Sequence, residues 1–493
     1  MLFNSIHFLF FFVLVSTAYF LLSHKYRWFL LLASSCYFYM AFIPVYILIL
    51  GFTIVLDYFA GILIEKSQGR KRFSFLILSL AANIGILCIF KYYNFLNENL
   101  SFLLHGAGYE NPVPYLSILL PIGLSFHTFQ AMSYTIEVYR GNQRAERNFG
   151  IYALYVMFYP QLVAGPIERP QNLLSQFYEK HSFEYQRVTD GLKLMAWGLL
   201  KKVVIADRLA LMVNQVYDSP TSYEGLSLLL ATFFFTFQVY CDFSGYSDIA
   251  IGAAEVMGFK LMTNFNKPYF SGSVSEFWKR WHISLSTWFK DYLYIPLGGN
   301  KVAVPRWYFN LFIVFLLSGL WHGANWTFIV WGALHGFYLV FALITSGLRE
   351  NIIRYTGLNK ESLFYRSSQV LITFALVSFT WIFFRANTIA DALYIVNHLF
   401  SGWMAGIKDV IANNHFARQS FLYLGLSSTE FMVACLSILF LLVAEYYQGS
   451  RSFAESISFR NKALRWSAYY LIVMAIIILG VYNVPQQFIY FQF

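Results

Sequence analysis

Long apolar runs separated by short polar loops dominate the chain. A helix needs about 20 mostly apolar residues to cross a bilayer, and by that measure the runs predict about 11 transmembrane helices. The candidate spans are Ile6–Leu22, Trp28–Phe42, Val45–Ile64, Phe73–Phe90, Tyr115–Tyr139, Phe149–Val163, Leu226–Tyr240, Trp307–Leu320, Asn325–Ile344, Val370–Phe384, Thr429–Ala444 and Trp466–Val481. The first run has no basic segment before it and further spans follow it, so we expect a retained transmembrane helix and not a signal peptide.

Polar residues concentrate in the middle third of the chain, between Phe158 and Asn325. Residues 190–216 and 245–300 mix apolar with charged positions, which predicts amphipathic, short or re-entrant helices. Irregular backbone at membrane depth is tolerated only where protein buries it or a water-filled cavity lies beside it. We therefore predict an all-α integral membrane protein with a central tunnel. We expect one domain over residues 1–493, with its motifs in a core at about residues 149–345.

Composition supports a membrane protein and argues against nucleic-acid binding. Of the 493 residues, 58% are hydrophobic and only 12% charged, whereas a soluble domain carries about 25% charged residues. The net charge of +10 comes from short loops, where Lys and Arg set topology and meet anionic lipid. A polyanionic substrate such as coenzyme A is a second reason for that excess. The four cysteines are far apart, which predicts neither a disulfide framework nor a metal site.

Basic residues alternate between successive loops near the N-terminus. Lys and Arg occur in the first, third and fifth loops and are missing from the second and fourth. The positive-inside rule then places the N-terminus outside the cytoplasm.

His322 is the foremost candidate catalytic residue. It lies between two apolar runs, and an ionisable side chain inside a bilayer is costly and usually faces a cavity, a partner or a substrate. An imidazole can take a proton from an acceptor hydroxyl at neutral pH, which predicts a general base. If the segment is helical, Trp321 and Asn325 share a face with each other, and Gly319 and Gly323 allow close approach. The alternative is a histidine hydrogen-bonded between helices.

A second histidine, His282, follows a tryptophan-rich segment. On a continuous helix, Trp278, Trp281, His282 and Leu285 share one face. Lys279 and Arg280 then point elsewhere, either to phosphates of a nucleotide-like donor or to lipid headgroups.

Two further polar segments need partners in an apolar setting. Asp242 and Asp248 lie three residues either side of Gly245, with Tyr246 between them, and Lys279 or Arg280 is a candidate partner. The prolines and glycine of residues 158–170 predict a broken helix or re-entrant loop.

The segments around both histidines resemble the membrane-bound O-acyltransferase family, in particular its bacterial branch for O-acetylation of exported polysaccharides. The resemblance rests on Tyr-Pro-Gln at 159–161, Asp-Phe-Ser-Gly-Tyr-Ser-Asp at 242–248, Asn-Phe-Asn-Lys-Pro-Tyr at 264–269, Phe-Trp-Lys-Arg-Trp-His at 277–282 and Leu-Trp-His-Gly at 320–323. It implies a ring of helices around a thin centre, with His322 as the essential histidine and His282 as the second motif residue.

The resemblance further implies acetyl-CoA as a cytoplasmic donor substrate, with no bound cofactor or metal, in the bacterial inner membrane. The acetyl group passes to a polysaccharide acceptor, or to a periplasmic or membrane-anchored partner acetyltransferase. His322 is the expected base, and His282 is expected to orient the acyl carbonyl. The expected donor contacts are Trp278, Lys279, Arg280, Trp281, Trp321, Asn325, Asp242 and Tyr246. D-alanyl or lipid acyl transfer, and transport without chemistry, remain alternatives. For the aromatic C-terminal residues 485–493 we expect either a contact with a partner or a position at the membrane interface.

Overall fold

The computed structural model describes residues 1–117, 121–403, 422–449, 451–459, 461–482 and 487–491. Helices account for nearly all the regular structure of these residues, and none of them forms a strand. The α-helices are α1 Ile6–Leu21, α2 His24–Met40, α3 Tyr46–Lys66, α4 Gly69–Leu87, α5 Tyr93–Gly106, α6 Leu124–Arg140, α7 Phe149–Met157, α8 Pro170–Leu173, α9 Tyr185–Leu199, α10 Asp207–Tyr217, α11 Leu226–Met257, α12 Val274–Arg280, α13 Ile283–Phe289, α14 Val304–His322, α15 Trp326–Ile344, α16 Ser346–Thr356, α17 Leu363–Arg385, α18 Ile389–His398, α19 Ser428–Gln448, α20 Phe453–Ser456 and α21 Lys462–Leu479.

Short π-helical and 3₁₀ turns interrupt or connect these helices. The π turns are Cys88–Tyr92, Leu200–Ala206 and Lys290–Tyr294, and the 3₁₀ turns are Ser175–Tyr178, Pro220–Ser222, Pro268–Phe270 and Ile489–Phe491. A π turn widens a helix locally and is frequent at functional sites.

Within the described residues, eight helical stretches are long and apolar enough to cross a membrane. They are α3, the stretch from α4 through α5, α11, α14, α15, α17, α19 and α21. Helix α1 is apolar but shorter. The predicted all-α membrane fold is confirmed. The predicted span Phe149–Val163 is too long, because α7 ends at Met157 before the proline-rich segment, which is irregular as expected. Part of the predicted span Tyr115–Tyr139, residues 118–120, lies outside the described residues.

The chain divides into two compact units that interleave in sequence. Unit 1 comprises Met1–Gly198 and Tyr246–Thr263, and unit 2 comprises Leu199–Gly245 and Asn264–Phe493. Helix α11 contributes to both units, since the division falls between Gly245 and Tyr246. The single-domain organisation and the central tunnel stay predictions.

In unit 1 a buried carboxylate joins three helices. The Ser79 hydroxyl of α4 donates to Asp57 Oδ1 of α3 at 2.6 Å, and the Asn83 amide donates to Asp57 Oδ2 at 2.9 Å. Ser79 also lies within hydrogen-bond distance of Thr135 on α6. Hydroxyl and amide donors thus satisfy a buried carboxyl group inside the helix bundle, which an apolar environment requires.

In unit 2 the hairpin of α14 and α15 is held together by glycines. A Cβ atom at Gly319 would overlap the carbonyl oxygen of Phe328, and one at Gly332 would overlap that of Phe315. Small residues of this kind let membrane helices approach closely. The close contact fixes the end of α14, where His322 lies.

Candidate active site

His322 is the last residue of α14. The chain leaves the helix at Gly323, whose backbone is extended at φ −161° and ψ 150°. Asn325 then caps α15, because its Oδ1 accepts the Thr327 N–H at 3.0 Å. The predicted shared helical face of Trp321 and Asn325 is therefore wrong. The close contact predicted at Gly319 and Gly323 is with α15, because a Cβ atom at Gly323 would overlap the Phe328 ring of that helix.

His282 occupies a tight turn between α12 and α13. Its backbone is left-handed, with φ 43° and ψ 56°, a conformation that is uncommon for residues other than glycine. The helix predicted to run from Trp278 to Leu285 is wrong, because it breaks at this turn. The break turns the imidazole away from the direction that a continuous helix would have given it.

Asn264 stabilises this turn from outside. Its Oδ1 accepts from the Ser284 hydroxyl at 2.9 Å and from the Ser284 N–H at 3.2 Å. Its carbonyl oxygen accepts the Ile283 N–H at 2.9 Å. On the other side of the turn, the Asn266 N–H donates to the Arg280 carbonyl at 2.9 Å. The segment that begins at Asn264 therefore clamps both sides of His282.

The two histidines come together in unit 2. Their ring centroids are 6.5 Å apart, and the two residues are 0% and 3% exposed. The surrounding rings, with centroid distances, are Phe243 at 4.6 Å from His282, and Trp321 at 4.9 Å, Trp331 at 5.0 Å and Phe384 at 5.3 Å from His322. Burial lowers the pKa of His282 well below its ordinary value. Its imidazole is thus neutral at physiological pH, with one N–H donor and one acceptor nitrogen.

Tyr490, close to the C-terminus, completes the aromatic enclosure. Its ring centroid lies 5.6 Å from that of His322 and 6.1 Å from that of His282. Sequence reasoning did not assign Tyr490 to the site. The aromatic run at the C-terminus was the available signal, but it did not indicate where the run packs. Of that run, residues 485, 486, 492 and 493 lie outside the described residues.

A cavity of about 450 Å³ is lined by residues of α12, α13, α14 and the π turn Lys290–Tyr294. Its lining includes Trp278, Lys279 and Lys290, together with Ile283 and Ser318. Ile283 follows His282 directly, and Ser318 lies one helical turn before His322. A second cavity of about 720 Å³ shares four lining residues with the first and adds Arg349. Because the two cavities share part of their lining, we call them together the recess; cationic side chains lie in the wall of each.

Trp278 is held in the wall of this recess by a buried hydrogen-bonded chain. Its indole Nε1 donates to His335 Nδ1 at 3.2 Å, and His335 Nε2 lies 2.9 Å from Thr380 Oγ1. Because Nδ1 accepts, the proton of a neutral His335 is on Nε2, which donates to Thr380. His335 thereby has a structural role.

The remaining predicted donor contacts fall in different places. Arg280 pairs with Glu276, and Trp281 packs against Trp381 with centroids 5.0 Å apart. Tyr246 belongs to unit 1, where it stacks on Phe3 at 4.5 Å. Lys279 is the member of the Lys-Arg pair that lines the cavity.

Asp242 has a partner that sequence reasoning missed. Lys202, on the π turn Leu200–Ala206, lies 2.7 Å from Asp242 Oδ1 and 2.7 Å from Asp207 Oδ1. The proposed pairing of Asp242 with Lys279 or Arg280 is wrong. Burial alone would lower the pKa of Lys202, but the Asp242 and Asp207 carboxylates outweigh it and raise the pKa. Lys202 is therefore a buried side chain whose charged form the two carboxylates favour.

Comparison with known proteins agrees with this architecture. A model of the membrane-bound O-acyltransferase family matches residues 143–384, which include both histidines. The chain is 40% identical to the probable alginate O-acetylase of Pseudomonas aeruginosa over 81% of this chain and 75% of that protein. It is 37% identical to the peptidoglycan O-acetyltransferase of Helicobacter pylori, over 74% and 72% of the respective chains. Identity to the teichoic acid D-alanyltransferase of Bacillus subtilis is 28%, over 49% of this chain and 62% of that one.

The chain thus belongs to the membrane-bound O-acyltransferase family. It is a multi-pass membrane enzyme that transfers acyl groups to hydroxyl acceptors. Membership in this family argues against a transporter without chemistry.

Proposed function

We propose that this protein transfers the acetyl group of cytoplasmic acetyl-CoA across the inner membrane for O-acetylation of an exported polysaccharide. The observation that carries the proposal is the pair of buried imidazoles, 6.5 Å apart, beside a recess with cationic walls. The relatives named as O-acetylases of alginate and peptidoglycan favour acetyl as the group and a polysaccharide as the final acceptor.

The recess suits a donor that joins polyanionic and apolar parts. Lys279, Lys290 and Arg349 supply positive charge, which attracts phosphate groups. Leu285, Phe315 and Leu339 supply an apolar wall that suits a pantetheine arm. By the positive-inside rule the basic end of this recess faces the cytoplasm, where acetyl-CoA is made.

His322 acts as the general base in this proposal. A nitrogen of its imidazole takes the proton of the acceptor hydroxyl as the hydroxyl oxygen attacks the thioester carbonyl carbon. The tetrahedral intermediate then collapses, the carbon–sulfur bond breaks, and the sulfur leaves with that proton as coenzyme A. Neutral His282 donates its N–H to the carbonyl oxygen, where negative charge develops. The aromatic enclosure excludes water, which would otherwise hydrolyse the thioester.

The final acceptor lies on the far side of the membrane. A periplasmic or membrane-anchored acetyltransferase either takes the acetyl group from this protein or assists its transfer to the polysaccharide.

The test is donor specificity in membranes that contain the protein and, where its operon encodes one, the partner acetyltransferase. Acetyl-CoA labelled in the acetyl carbon should transfer label to polysaccharide and release coenzyme A thiol. A D-alanyl carrier protein loaded with labelled D-alanine should give no transfer. The reverse pattern would contradict the proposal and favour the D-alanyl activity named for the more distant Bacillus relative.

A further inference from the structure

We propose that Asp242, held by Lys202, is a positioning residue that docks the C-terminal segment 487–491 against the His282–His322 pair. This inference rests on the proposed function of that pair. We call residues 487–491 the tail segment.

The two carboxylate oxygens of Asp242 have different partners. Oδ2 accepts the backbone N–H of Ile489 at 2.7 Å, and Oδ1 lies 2.7 Å from the Lys202 ammonium. A hydrogen bond to a charged acceptor is stronger than one between neutral groups. The lysine therefore fixes the carboxylate, and the carboxylate fixes the tail segment.

The tail segment is buried where Asp242 holds it. Phe488 and Ile489 are each 2% exposed. The rings of Phe488 and Tyr490 both pack on Phe243, at 5.9 and 4.4 Å. Phe243 follows Asp242 directly and also contacts His282 at 4.6 Å. We call the hydrogen bond between Asp242 and the Ile489 N–H the tether. One turn of α11 thus carries both the acceptor of the tether and the Phe243 ring on which the tail segment lies.

The chain before the tail segment is attached to the π turn that carries Lys202 and to α10, which follows that turn. The Arg208 guanidinium donates to the Leu479 carbonyl at 2.6 Å, and the Val481 N–H donates to the Val203 carbonyl at 3.0 Å. These contacts hold the end of α21 beside Lys202. The hydrogen bond from Ile489 to Asp242 then holds the tail segment. Their effect is to hold the Tyr490 ring against both imidazoles.

Thiol accessibility measures the docking independently of catalysis. The parent protein for this test has Cys36, Cys88 and Cys435 replaced by alanine, and Phe488→Cys adds a thiol in the tail segment. The same parent without Phe488→Cys gives the background labelling of Cys241. We expect Asp242→Ala to speed maleimide labelling of residue 488 about tenfold or more, the scale of one hydrogen bond to a charged group. Asp207→Ala is the matched control, because it removes the other carboxylate of Lys202 but leaves the tether. Unchanged labelling in Asp242→Ala, or equal acceleration in Asp207→Ala, would overturn the proposal.

A change on the tail side covers the case in which Asp242→Ala does not fold. Ile489 is the first residue of a 3₁₀ turn, where proline is tolerated, so Ile489→Pro removes the donor N–H and leaves the ionic cluster intact. Ile489→Ala also removes the isoleucine side chain but keeps the backbone N–H, so it is the control for the proline variant. We expect faster labelling only with proline.

Kinetics separate positioning from mere folding. Among variants that remain monodisperse, we expect Asp242→Ala to lower kcat for acetyl transfer about tenfold or more with the KM for acetyl-CoA unchanged. If the tail segment of Asp242→Ala is labelled faster but the kcat for acetyl transfer is unchanged, the positioning role is overturned. If the parent transfers no acetyl group, the proposed function fails, while the labelling comparison still reports on the tether.

Discussion

The imidazole rings of His282 and His322 lie 6.5 Å apart in a fully buried, aromatic setting. Each reaches this position because a helix stops there: α12 at a left-handed turn and α14 at an extended glycine. The pair therefore depends on backbone conformation as much as on side-chain identity.

Substitutions at His282 test its left-handed backbone and its N–H donor together. Asparagine adopts the left-handed conformation more readily than leucine and keeps an N–H donor for the acyl carbonyl. We expect His282→Asn to retain a larger share of the kcat for acetyl transfer than His282→Leu, and to unfold at a higher temperature. Equal losses in both variants would contradict a donor role for this residue.

Asn264→Ala tests the clamp on the His282 turn. It removes the acceptor for both the hydroxyl and the N–H of Ser284, and leaving buried donors unsatisfied costs about 1–3 kcal/mol. We expect a lower unfolding temperature and a reduced kcat. Asn266→Ala is the matched control, because that asparagine is exposed and holds the turn through its backbone. A loss as large in Asn266→Ala would argue against the clamp.

Lys279 and Arg280 provide a paired test of the donor cavity. Lys279 lines the cavity, whereas Arg280 pairs with Glu276. We expect Lys279→Met to raise the KM for acetyl-CoA about tenfold, as loss of one contact to a charged group would, with a smaller effect of Arg280→Met. Steady-state kinetics in detergent or vesicles measures this. A larger effect of Arg280→Met would place the phosphates elsewhere.

Glu168 should make the stability of the protein depend on pH. It is fully buried in the loop after α7, and burial raises its pKa to about 7 from an ordinary 4.5, although the Met262 N–H donates to it. The folded state therefore binds the proton more tightly than the unfolded state. The associated stability is present below pH 4.5 and is lost as the pH rises through about 7.

Thermal unfolding of Glu168→Gln at several pH values tests whether Glu168 makes the protein less stable as the pH rises. Glutamine keeps the acceptor oxygen without the charge, so the variant should gain stability over wild type at about pH 8 and little at about pH 5. The shift corresponds to at most about 3 kcal/mol. Glu179→Gln, at an exposed site, serves as control. A gain that does not grow with pH would show that Glu168 is not the group responsible.

The helices and the two histidines could be predicted from sequence, because apolar runs and intramembrane imidazoles are local signals. The eight membrane-length stretches of the described residues follow from the apolar runs, and the Trp-His motifs carry the family resemblance. The course of the chain through His282 could not be predicted, because helical periodicity continues across the turn and a histidine does not by itself mark a left-handed φ.

Contacts between residues far apart in the chain could not be predicted from the sequence either. Lys202 lies in an amphipathic segment where its charge resembles an interfacial anchor, and it meets Asp242 only because a π turn and α11 pack together. Tyr490 reaches the histidines from the far end of the chain. Neither contact has a periodicity that a single sequence reveals.

The role of His322 as the base is measured by comparing transfer from labelled acetyl-CoA in wild type and in His322→Ala, with His105→Ala, at an exposed histidine, as control. Loss of a positioned base lowers the rate about 10²–10⁴-fold. We expect that loss in His322→Ala alone, with the unfolding temperature and acetyl-CoA binding retained. A His322→Ala protein that transfers acetyl groups at the wild-type rate would contradict it.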